Sequence, residues 1–115
     1  MAITHHVQIR ISTTGLIGGS GGADVDITLT SADYDHSQLT LASGNNTIAI
    51  ASGGLAMLFI PPTANTQTVV LKGNTGDTGI PLSKTEPSYI SLDASGDDVI
   101  LTAGAEITGC EIYLL

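Results

Sequence analysis

The sequence predicts an all-β chain: an antiparallel β-sandwich of about eight or nine strands, with a jelly roll as the specific form it suggests and almost no helix. Three observations carry this. Apolar residues recur at every second position along most of the chain. Glycine, proline, asparagine and aspartate interrupt it too often for helices to grow. Hydrophobic residues make up 42% of the 115 positions against 12% charged, enough for one modest core.

The elements follow in order. Val7, Ile9 and Ile11 alternate with His6, Gln8 and Arg10, and Val25, Ile27 and Leu29 alternate with Asp24, Asp26, Thr28 and Thr30. That period puts apolar side chains on one face of a pleated strand and polar ones on the other. Leu39 and Leu41, then Ile48 and Ile50, repeat it. The runs 55–60 and 67–72 are more uniformly apolar, which suits strands covered on both faces or lying at a subunit contact. Ser88–Leu92, Asp98–Thr102 and Gly109–Leu115 complete the set. Ser31 to His36 reads as a loop or a single helical turn.

The whole chain, 1–115, reads as one domain. Its glycine-rich stretch Gly15 to Gly22 can serve as a hinge that frees residues 1–11 as an arm, so that 1–22 forms an N-terminal appendage. Gly73 to Pro81 has glycine at every third position, yet three triplets are too few for a collagen helix, so it reads as a loop. Ala42-Ser43-Gly44-Asn45-Asn46-Thr47-Ile48 returns as Ala94-Ser95-Gly96-Asp97-Asp98-Val99-Ile100. Two readings fit: shared turn chemistry, or equivalent hairpins in the halves of a double Greek key.

Composition excludes several functions. Eleven acidic residues against Arg10, Lys72 and Lys84 give a net charge of −8, the wrong sign and clustering for a nucleic-acid binder. The longest apolar run, Leu55 to Ile60, stops at Pro61-Pro62 and is far short of the roughly twenty residues of a membrane helix. Cys110 is the one cysteine, so no internal disulfide forms, and its alternation with Ile112 and Leu114 makes it a core residue. The N-terminus lacks a basic region followed by an apolar run, so the expectation is a protein made in a cytoplasm without a secretion signal.

Catalytic and metal constellations are thin. Asp77-Thr78-Gly79 matches the tripeptide of dimeric aspartic proteases, where two aspartates share a proton, but it follows Asn74-Thr75-Gly76 and not an apolar strand. His36 neighbours Asp35 and Ser37, with no strand–turn–helix elbow to assemble a triad. His5 and His6 point to opposite faces of a strand, and Asp24, Asp26, Asp33, Asp35, Asp97 and Asp98 lack calcium-loop spacing. No phosphate-binding loop is present. The expectation is no enzyme, no cofactor and no metal. A glycan-binding sandwich is the rival non-enzyme, weakened by an aromatic set of only Tyr34, Tyr89, Tyr113 and Phe59.

Leu71-Lys72-Gly73-Asn74-Thr75-Gly76-Asp77-Thr78-Gly79-Ile80-Pro81-Leu82, Glu86-Pro87-Ser88-Tyr89-Ile90-Ser91-Leu92 and Glu111-Ile112-Tyr113-Leu114-Leu115 together resemble small virion proteins of tailed bacteriophages. In that group a Gly-Ile-Pro-Leu-like segment leads through a Pro-Ser turn into a strand, and the chain stops on an apolar strand. The resemblance implies a β-sandwich capsid decoration (cement) protein, a homotrimer bound to the major capsid protein on the outside of the assembled shell. A neck or tail accessory role is the alternative within the group. Decoration proteins act through surfaces, so the expected interface residues are apolar: Val7, Ile9, Leu58, Ile60, Tyr113 and Leu115.

Overall fold

The computed structural model describes residues 3–13, 21–31, 35–50, 54–92 and 98–115. They form ten strands: β1 (Ile3–Thr13), β2 (Gly21–Ser31), β3 (Asp35–Leu41), β4 (Gly44–Ile48), β5 (Ala56–Ile60), β6 (Val69–Lys72), β7 (Ile80–Leu82), β8 (Ser88–Ser91), β9 (Val99–Ala103) and β10 (Ile107–Leu114). Every strand pairing is antiparallel, and no helix occurs among the described residues.

Eight strands make the body. One sheet has the order β3-β10-β5-β8 and the other β4-β9-β6-β7. Counted from β3, these orders are 1-8-3-6 and 2-7-4-5, and every connection but β6–β7 crosses between sheets. This is jelly-roll connectivity.

Facing side chains of the two sheets share one core. Leu41, Met57, Phe59, Ile107, Cys110 and Ile112 come from the first sheet, and Ile48, Val69, Leu101 and Ala103 from the second. Strict alternation would send Ile107 and Cys110 to opposite faces, since they are three positions apart. A bulge corrects this: Ile107 pairs with Leu41 and Cys110 with Leu39, so β10 spends one residue more than β3. Gly109 sits in the extra stretch at φ +79°, the left-handed region where a side chain would strain the backbone.

Three sequence expectations change. The Ala42–Ile48 segment is no hairpin, because β3 and β4 belong to different sheets; it is a crossover, pinned by the Asn46 side chain. Of its counterpart, 94–100, residues 94–97 lie outside the described residues; β8 and β9 belong to different sheets. Ile80 and Pro81, read as the end of a loop, open strand β7 at a sheet edge, where Pro81 faces no hydrogen-bonding neighbour on its free side. Asp35 and His36, read as loop or helical turn, open β3, while 32–34 lie outside the described residues.

The remaining two strands form a separate ribbon. β1 pairs with β2 over eleven residues, from Ile3↔Ser31 to Thr13↔Gly21. The arm expected at residues 1–11 is thus part of one strand of a hairpin within the chain; of the hinge expected at 15–22, Gly21 and Gly22 instead open β2, and 15–20 lie outside the described residues. The radius of gyration is 15.8 Å, against about 13 Å for a compact chain near this size. The ribbon accounts for the excess: eleven extended residues span roughly 35 Å.

Candidate functional site

The outward face of the first sheet carries a ladder of large side chains. Register places His36 of β3 opposite Tyr113 of β10, Tyr113 opposite Leu58 of β5, and Leu58 opposite Tyr89 of β8. Directly opposed residues share a face. The imidazole of His36 stacks on the Tyr113 ring, with centroids 3.9 Å apart and planes 5° from parallel. One step along, Gln38, Glu111 and Ile60 form a second row. Glu111 Oε1 lies 3.9 Å from His36 Nε2; both side chains are substantially exposed, so this pair adds little stability.

The base of the hairpin stands over this ladder. Thr4 to Gln8 of β1, with Leu58, Tyr89, Tyr113 and Leu115, enclose a slot of about 490 Å³. Leu115 is fixed there by its backbone, whose N–H donates to Ala56 O at 2.9 Å while its carbonyl accepts from Leu55 N at 2.7 Å. The Tyr89 hydroxyl is buried and makes no hydrogen bond.

Four of the six residues expected at an interface, Val7, Leu58, Tyr113 and Leu115, therefore line one slot. Ile60 lies one row away on the same sheet face. Ile9 is farther along β1, opposite Val25, and both are exposed, at 38% and 47%. The sequence reading missed His36 and Tyr89, which join the face only through cross-strand register. Val25, Ile27 and Leu29 lie opposite Ile9, Val7 and His5 on the hairpin, on the same side of the ribbon as those residues.

The other constellations are not brought together in the same way. Asp77 closes a turn: its N–H donates to Asn74 O at 3.1 Å and its Oδ2 accepts from Asn74 N at 2.9 Å. It stands beside an inter-sheet opening of about 590 Å³ lined by Leu71, Lys72, Ile80, Ile90, Leu92 and Val99. His36 faces the opposite side of β3 from Asp35 and Ser37. Among the described residues no three His, Cys, Asp or Glu side chains gather as a metal site would need. Cys110 is fully buried, its Sγ lies 3.9 Å from Ile107 O, and burial pushes its thiol pKa up.

No protein-family model, curated protein or solved structure matches this chain. The surfaces themselves must carry the functional argument. They consist of an apolar ladder, a partly filled slot above it, and a hairpin whose apolar side is incompletely covered.

Proposed function

We propose that this chain is a structural virion protein of the capsid decoration type, which binds an assembled phage shell as a homo-oligomer and stabilises it. The observation that supports this best is the hairpin. A two-stranded ribbon is marginal in water by itself. Here one presents apolar residues beside a jelly-roll body whose first sheet carries Leu58, Tyr89, Tyr113 and Ile60 on its outward face. Such a molecule is organised for contact. The resemblance of segment 71–115 to small phage virion proteins points the same way.

Stabilisation of a shell follows from mass action, because a ligand that binds the assembled lattice and not free subunits shifts assembly forward. The chain is acidic, with a net charge of −8, so attachment to a neutral or anionic shell rests on apolar and backbone contacts and loosens little with added salt. Glycan binding has less support, since the His36 imidazole occupies one face of the Tyr113 ring that a sugar would stack against.

The test is deletion of the gene from the phage genome that carries it. Particles should lose this chain from their shells and rupture at a lower temperature. Particles that keep their heat resistance and never contained the chain would overturn the reading; its recovery in purified tails would move it to the tail.

A further inference from the structure

We draw no further inference here: the strongest candidate, the slot of about 490 Å³ between the base of the β1–β2 hairpin and the outward face of the first sheet, belongs to the site already described, and nothing in the structure shows what fills it.

Discussion

Asn46 closes a two-bond ring with Ala42. Its Oδ1 accepts the Ala42 N–H at 2.9 Å, and its Nδ2 donates to the Ala42 carbonyl at 2.9 Å. The same Nδ2 lies 3.0 Å from Gly44 O and 3.1 Å from Leu101 O, the latter on β9. One side chain thereby serves backbone groups of the β3–β4 crossover, of the start of β4 and of the neighbouring β9. Replacing it leaves several of them without partners.

Asn46→Ala should therefore cost about 0.5–1.5 kcal/mol, the net worth of hydrogen bonds whose stranded ends water can partly reach. Asn45→Ala removes only the exposed acceptor of the Thr102 hydroxyl, a 2.6 Å bond, and should cost well under half as much. Urea denaturation of both variants checks the order. Equal costs would mean that the crossover is not held by the Asn46 amide.

Gly79 and Gly44 provide a second contrast. Both have positive φ, +80° and +95°. A Cβ on Gly79 would meet Val70 Cγ1 at 2.5 Å and Leu71 O at 2.7 Å, while one on Gly44 meets nothing within 4 Å. Gly44→Ala should cost about 1–2 kcal/mol, the left-handed penalty alone. Gly79→Ala adds a clash with backbone that cannot swing away, so its midpoint of thermal unfolding should fall clearly further.

How far the sequence could be read depends on which physical signal each feature leaves. Alternation at Val7–Ile11, Val25–Leu29 and Leu39–Leu41 was enough for the fold class, because burying one face of a sheet imposes period two directly. It says nothing about neighbours, so β3 pairing with β10, 66 or more residues away, left no local trace. Strand β7 was hidden by Pro81 and by flanking glycines that read as loop. At the candidate surface, Leu58 and Tyr113 stood out as members of strongly apolar segments, 55–60 and the C-terminal strand. Tyr89, between Ser88 and Ile90, and His36, between Asp35 and Ser37, became members only through register.

Adjacent residues of β5 should respond differently to truncation. Phe59 is fully buried between the sheets, whereas Leu58 points outward and is half-buried. Phe59→Ala should cost about 3–5 kcal/mol by loss of burial and creation of a cavity. Leu58→Ala should cost far less in the isolated chain, and its larger effect should appear in oligomer mass. Equal destabilisation of dilute, monomeric samples would place Leu58 inside the core and contradict the strand parity.

Cys110 gives the molecule an alkaline limit. Its thiol is enclosed by the core, and loss of water around the charged form raises its pKa above the ordinary 9.0. A group whose pKa is raised on folding binds its proton more tightly in the native state. The associated stability is complete below pH 9 and is lost as pH climbs through the folded value, since the unfolded chain can then release a proton that the native chain retains. The comparison needs a variant without the thiol. Cys110→Ala should be less stable than wild type near neutral pH, because it leaves a small void in a close-packed core. The gap between the two should narrow as pH rises above 9. The same enclosure predicts slow alkylation of native protein by a maleimide, at a rate set by opening of the sandwich, and rapid alkylation in denaturant. Constant stability difference across pH 8–11, or native labelling as fast as unfolded, would show that water reaches the thiol.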